Sequence, residues 1–266
     1  MSLLKIEVAV EDLAGLEVAA AAGADRVELC TDLARGGTTP PAELIDRCVR
    51  RARELVAARE AKPGFDVHVL IRPRATTCDF LGRPEEFVAD ADEVALMAEQ
   101  AAEAVDAGAA GVVLGVLTPE GDLDVPALET VRDAALIAAQ RSARGLVLTL
   151  HRAADAMPGR DARTAAVLTA LGLGFHRVLS SGGAARALDG AEDLAAMVDA
   201  GEGIIDVCAG GGVRPADVVD LARRTGVMDV HLSARRRPGA PVEPGAPDTL
   251  TDPAIVAAAV DAAGEL

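Results

Sequence analysis

Tryptophan and tyrosine are absent from this chain of 266 residues, and phenylalanine occurs four times. A core must therefore be built from Ala, Val, Leu and Ile, which the 50% hydrophobic content allows. Positive charge is also scarce. The formal net charge of −16 excludes the basic face that nucleic-acid binding requires, and it opposes docking on anionic lipid. The four cysteines, Cys30, Cys48, Cys78 and Cys208, form no C-x-x-C pair and no disulfide framework. No apolar run is long enough to span a membrane, and the opening MSLLKIEVAV lacks a basic region followed by an apolar stretch. These absences leave a reduced, cytoplasmic protein as the expectation. They say nothing that fixes its oligomeric state, and a homo-oligomer is compatible with them.

Short apolar runs alternate with longer Ala/Glu/Arg segments of helical period. The pattern predicts strands over residues 5–10, 25–30, 66–72, 111–116, 146–152, 177–181, 204–209 and 228–233. It predicts helices over 12–22, 42–61, 84–107, 126–142, 162–171, 188–200, 215–224 and 252–263. Strict alternation implies a parallel sheet with right-handed crossovers. Eight units close into a (β/α)8 TIM barrel, and the length matches a single such domain over residues 1–266. An open doubly wound sheet is the alternative. It would carry a G-x-G-x-x-G turn after the first strand, where this chain has EDLAGL. The Pro/Gly-rich segment 235–248 follows the eighth strand and reads as a lid or a solvated loop.

Strand parity carries the functional argument. Glu7, Arg26, Glu28, His68, Arg72, His151, Asp229 and His231 fall on the parity opposite the branched apolar residues. The apolar parity must face the helices, so the polar parity must point into the barrel. Unpaired charge there costs several kcal/mol, about the same order for each group, so these side chains must pair, hold water or act. His68, Lys5 and Arg26, near strand starts, read as pairing partners at the floor. Residues at the carboxyl ends should meet at one mouth, where barrel enzymes keep their sites.

His151 is the expected proton-transfer group, with Glu28 as a second base and Asp155 either orienting His151 or capping a helix. His231 completes the acid–base set. Arg72 and Arg152 can hold a carboxylate or phosphate in bidentate fashion, and Arg74 is a second contact or a surface residue. Anion-binding candidates are Ser181 and Gly182 after strand six, Gly211 and Gly212 after strand seven, and Arg235 after strand eight. Free N–H groups at a Gly-rich helix start favour phosphate. The expected partner is thus a small anionic ligand. The Glu/His set could also take a divalent ion. A copper(I) site would need soft thiolates, and Cys30, inward on the second strand, is the metal candidate.

The segments ADRVELC (24–30), GGTTP (36–40), IRPR (71–74), GVLTPEGDLD (115–124), TLHRAAD (149–155), RVLSSGG (177–183), AGGGVRP (209–215) and DVHLSAR (229–235) together resemble the CutC family. The resemblance runs from about Ile6 to Arg235. It implies a TIM barrel, a cytoplasmic location and a role in copper homeostasis, with copper(I) as the implied metal. Two cysteines are the copper ligands proposed for some members. Their positions are here Ala9 and Cys30, so only one thiol remains. Three readings follow: copper handling, acid–base chemistry on a small phosphorylated or carboxylated metabolite (lyase, isomerase or epimerase), and a non-catalytic scaffold.

Overall fold

The computed structural model describes residues 4–77, 79–236 and 249–266. The strands are β1 (Lys5–Val10), β2 (Arg26–Leu29), β3 (Asp66–Leu70), β4 (Gly111–Leu114), β5 (Val147–Leu150), β6 (Arg177–Ser180), β7 (Asp206–Gly210) and β8 (Asp229–Leu232). They close in sequence order into a parallel barrel, with β1 pairing β8 through Glu7 beside His231. The helices are α1 (Leu13–Ala21), α2 (Ala42–Ala58), α3 (Ala91–Ala107), α4 (Val125–Arg141), α5 (Gly159–Gly172), α6 (Ala191–Gly201), α7 (Val218–Thr225) and α8 (Pro253–Ala263). The predicted (β/α)8 barrel is therefore the fold. None of these helices is long and apolar enough to cross a membrane.

Local chemistry sets the boundaries. Asp12, Asp90, Asp124 and Asp252 cap α1, α3, α4 and α8 by accepting from backbone N–H groups of the first turn. The Asp90 cap explains one departure from the periodicity. Residues 84–107 do not form one helix: Pro84–Phe87 is a short 3-10 turn, and α3 starts only after Asp90. Likewise Pro215–Asp217 is a 3-10 turn, and α7 begins at Val218. β3 and β5 end two residues earlier than predicted, so Arg72 and His151 lie just beyond them and Arg152 opens a short 3-10 turn, Arg152–Ala156.

The parity holds. Ile6, Val8, Val27, Leu29, Val67, Val69, Leu148, Leu150 and Val230 are buried in the main core beneath the helices. Inside the lower barrel, Glu7 accepts from Arg26 Nε at 2.8 Å and Arg177 Nη1 at 2.7 Å. Arg26 also donates to Asp229. Arg177 Nε stands 3.6 Å from the other Asp229 oxygen. His68 fits its expected structural place, 3.5 Å from Arg177 Nη1. Burial holds its pKa down to about 3, so its ring is neutral. Lys5 differs from expectation: its side chain is exposed rather than paired inside.

Candidate active site

A cavity of about 270 Å³ opens at the carboxyl ends of the strands. Its lining includes Glu28, Arg72, Phe80, His151, Arg152, Gly211, Gly212, His231, Ser233 and Arg235. Eight of the eleven residues predicted for catalysis and anion contact line it: Glu28, Arg72, His151, Arg152, His231, Gly211, Gly212 and Arg235.

Arg72 leaves β3 with its backbone N–H given to Thr39 Oγ1 at 2.7 Å. Its guanidinium donates to the carbonyls of Gly37, at 2.9 Å, and Gly36, and reaches Thr76 Oγ1 at 3.4 Å. Both glycines adopt positive φ, which turns their carbonyls to the guanidinium without a side chain in the way. No carboxylate pairs with Arg72 among the described residues. Burial pushes its pKa down to about 10, and the nearby Glu28 opposes that shift only in part. It is a fixed cation without an anion.

His151 follows β5 and is 3% exposed. Its Nδ1 accepts from Ala153 N at 3.1 Å, which puts the ring proton on Nε2. That buried Nε2 has no partner. Phe87 lies against the ring, with centroids 5.4 Å apart. A Cβ on Gly115 would come within 2.5 Å of Nδ1, so the ring's seat requires a glycine there. Burial and the Arg72 charge hold the pKa down to about 3. The expectation that His151 is the near-neutral proton shuttle therefore needs correction. It is a neutral hydrogen-bond donor, and its basic nitrogen is occupied.

The expectation for Asp155 is corrected too, because it does not touch His151. It is buried and accepts from Arg152 Nε at 2.8 Å, Ser180 Oγ at 2.5 Å, Ser181 N at 2.9 Å and Gly183 N at 3.1 Å. Ser181 Oγ also contacts it at 3.0 Å. Asp155 thus clasps the loop after β6 and aims Arg152. Ser181 and Gly182 do not line the cavity. Their donors are committed to Asp155, Ala184 and Ser180. Arg152 spans from this clasp to the mouth, its Cζ 4.9 Å over the Phe80 ring. Arg74 is a surface residue, bonded to Glu93 and the Val88 carbonyl.

Glu28 and His231 are the titratable pair. Burial raises the Glu28 carboxyl above its usual range, and the charge of Glu7 adds to this, although His231 and Arg72 pull the other way. Its Oε2 is buried without a partner. His231 Nδ1 lies 2.7 Å from Glu7 Oε1. Burial works against its charge, but the hydrogen bond to Glu7 and the nearness of Glu28 prevail and raise its pKa. Glu7 itself stays ionised, because Arg177, His231 and Arg26 outweigh burial.

Sequence reasoning placed Glu7 inside the barrel but not as the partner of His231. It also passed over Phe80 and Phe87, whose rarity in so aromatic-poor a chain was the available signal. Of the predicted 235–248 segment, Arg235 is at the mouth, its Nη2 3.3 Å from Glu11. Residues 237–248 lie outside the described residues, as does Cys78.

Metal fit follows from the donor set. Cys30 is fully buried among Leu70 and Val113, with its Sγ toward the Val10 carbonyl, and it does not line the cavity. Burial and the neighbouring Glu28 push its thiol far above the ordinary value. No described thiol lines the cavity, so the described residues do not fit a thiolate copper(I) site. Glu7, Glu28 and His231 bring ligand atoms within 4.8 Å of one another, the described cluster best suited to a harder ion. There Glu7 is already shared by Arg26, Arg177 and His231.

These features define a class: a parallel (β/α)8 barrel whose mouth gathers arginines, a buried carboxyl group and two histidines. The sequence profile of the CutC family matches residues 4–236, and the chain belongs to that family. A protein of Agrobacterium fabrum described as family protein CutC is 38% identical over 233 residues, covering 88% of this chain and 80% of its own. A Caulobacter vibrioides protein of the same description is 38% identical over 241 residues, covering 91% and 83%. A solved structure assigned as a copper homeostasis protein, CutC of Streptococcus agalactiae, superposes with a TM-score of 0.72 at 29% identity. It covers 86% of this chain and 97% of its own.

Proposed function

We propose that this CutC-family barrel is an enzyme performing acid–base chemistry on a small anionic metabolite. One observation carries the reading. Arg72 is a cation without an anion, and it faces the same cavity as two buried atoms without partners, His151 Nε2 and Glu28 Oε2. Buried polar groups are normally satisfied, so two such atoms and an arginine without a carboxylate partner, on residues around one opening, suit an anionic ligand.

In this reading Arg72 and the His151 Nε2–H hold the substrate's anionic or carbonyl oxygen. Glu28, its basicity raised toward the working pH, takes a proton. His231, kept charged by Glu7, returns one. Isomerisation, epimerisation and elimination all use such a pair. The three described cysteines are free, which suits a cytoplasmic setting.

The copper role named for the Streptococcus agalactiae protein would rest here on Cys30. A copper(I) titration of the purified chain should give no stoichiometric binding that depends on Cys30. A tight site abolished by Cys30→Ala would restore the copper reading. For the enzyme reading, inorganic phosphate and acetate should each raise the melting temperature of the wild type, as a ligand selective for the native state does. Failure of both would remove the proposal.

A further inference from the structure

The geometry points to a substrate with two anionic ends, a carboxylate held by Arg72 and His151 and a phosphate held by the loops after β7 and β8. This rests on the proposed function and narrows it. In a closed ring of eight strands, β3 and β7 are four places apart, so Arg72 and the Gly211 loop face each other across the lumen. Each side carries its own unspent donors.

On the β3 side, three of the five N–H bonds of Arg72 point at Gly36, Gly37 and Thr76. Two remain for the cavity, in a plane suited to a carboxylate. His151 Nε2, in a side chain only 3% exposed, is the second donor there. On the β7 side, Gly211 and Gly212 adopt φ of +111° and +60°, a conformation that turns the backbone away from the strand ladder. Their N–H groups find no acceptor among the described residues. A Cβ on Gly211 would meet the Arg152 guanidinium at 2.9 Å, so Arg152 lies against this loop. Arg235 approaches from the loop after β8, and both arginines line the cavity.

The two sides differ in their donors. The β3 side has one arginine with no carboxylate partner among the described residues, beside the His151 imidazole. The β7 side has the Gly-rich loop and two arginines, each also held by a carboxylate, Arg152 by Asp155 and Arg235 by Glu11, so a phosphate there would share both guanidinium groups with those carboxylates. The helix after β7 starts only at Val218, so loop N–H groups and arginines, rather than a helix end, make this subsite. Glu28 and His231 line the floor between the two, where the carbon chain joining the ends would lie.

Calorimetric titration with inorganic phosphate, acetate and a series of ω-phosphorylated carboxylates tests the inference. Phosphoglycolate, 3-phosphoglycerate and 4-phosphoerythronate cover spans of two to four carbons. At least one should bind a hundredfold or more tighter than inorganic phosphate, since linking two anions makes the second contact intramolecular. Arg72→Gln should erase that gain and leave phosphate affinity within about twofold. Arg235→Gln should weaken inorganic phosphate about tenfold and acetate hardly at all. Arg72→Lys, which keeps the charge but not the planar fork, should lose most of the gain while folding as the wild type does.

Two results would overturn the inference while sparing the proposed function. In one, phosphate binds but no phosphocarboxylate exceeds it. In the other, Arg72→Gln weakens phosphate as much as the phosphocarboxylates, which would mean a single anion site. Failure of phosphate and acetate alike would overturn both.

Discussion

At the floor of the barrel, Glu7 accepts from Arg26 and Arg177, and Asp229 meets both arginines from the other side. At the mouth, Arg72 reaches only carbonyls and a hydroxyl. Arginines and carboxylates stand in both places, and β2 and β8 contribute to each, with Arg26 below Glu28 and Asp229 below His231. What differs is charge balance. In the lower set each arginine meets carboxylates, although Arg177 Nε and Nη2 have no hydrogen-bond partner. In the upper set Arg72 meets no carboxylate among the described residues, and that set opens into the cavity. His231 joins the two, since it lines the cavity while its Nδ1 rests on Glu7.

The sharpest way to break this comparison is to remove one charge from each layer. Glu7→Gln leaves Arg26 and the buried Arg177 sharing Asp229 as their carboxylate partner and should cost about 3–5 kcal/mol in urea unfolding. Arg72→Gln removes a cation that had no counter-ion and should change stability by less than about 1 kcal/mol. Equal losses would mean that floor and mouth are one structural network. Acid unfolding gives the next largest effect. His151 is held neutral to about pH 3, whereas an unfolded histidine takes its proton near 6.5. The unfolded chain therefore binds the extra proton as pH falls through that window, and native stability falls with it. His151→Gln should flatten this limb by roughly 2–3 kcal/mol at pH 4, read from urea midpoints. No difference from the wild type would mean that the ring is solvated.

A smaller effect tests the seat of that ring. Gly115→Ala should cost about 1–2 kcal/mol through overpacking. It should also weaken anion binding measurably by calorimetry, because the new methyl displaces His151. Unchanged binding would take His151 out of the site. Smallest is Glu28→Gln. The native carboxyl binds its proton more tightly than the unfolded one, so wild-type stability is lost as pH rises from the ordinary carboxylate value through the raised one. The variant should escape that loss and show a flatter pH profile above about pH 4.5. A parallel profile would mean that Glu28 titrates normally.

The barrel was legible because burial on both faces leaves a two-residue alternation that few other folds explain. Glu28, Arg72, His151 and His231 were legible from the same alternation at the strand ends. What the alternation could not carry was three-dimensional closure. Phe87 comes from the segment after β3, far in sequence from His151, yet it packs on the imidazole with Phe80 behind it, and burial together with Arg72 turns an ordinary histidine into a neutral donor. Asp155 sits four residues from His151, yet the β6 loop claims its carboxylate. Spacing along the chain shows which groups are neighbours in sequence, and competing donors from other strands decide which of them bond.

The missing indoles and phenols have a practical consequence. The native chain is nearly dark in near-ultraviolet fluorescence, so one introduced fluorophore would report without background. Phe80 lies beneath Arg152 at the rim of the cavity. Phe80→Trp would place a single emitter there, whose quenching by the overlying guanidinium would follow the arrival and departure of a ligand in real time.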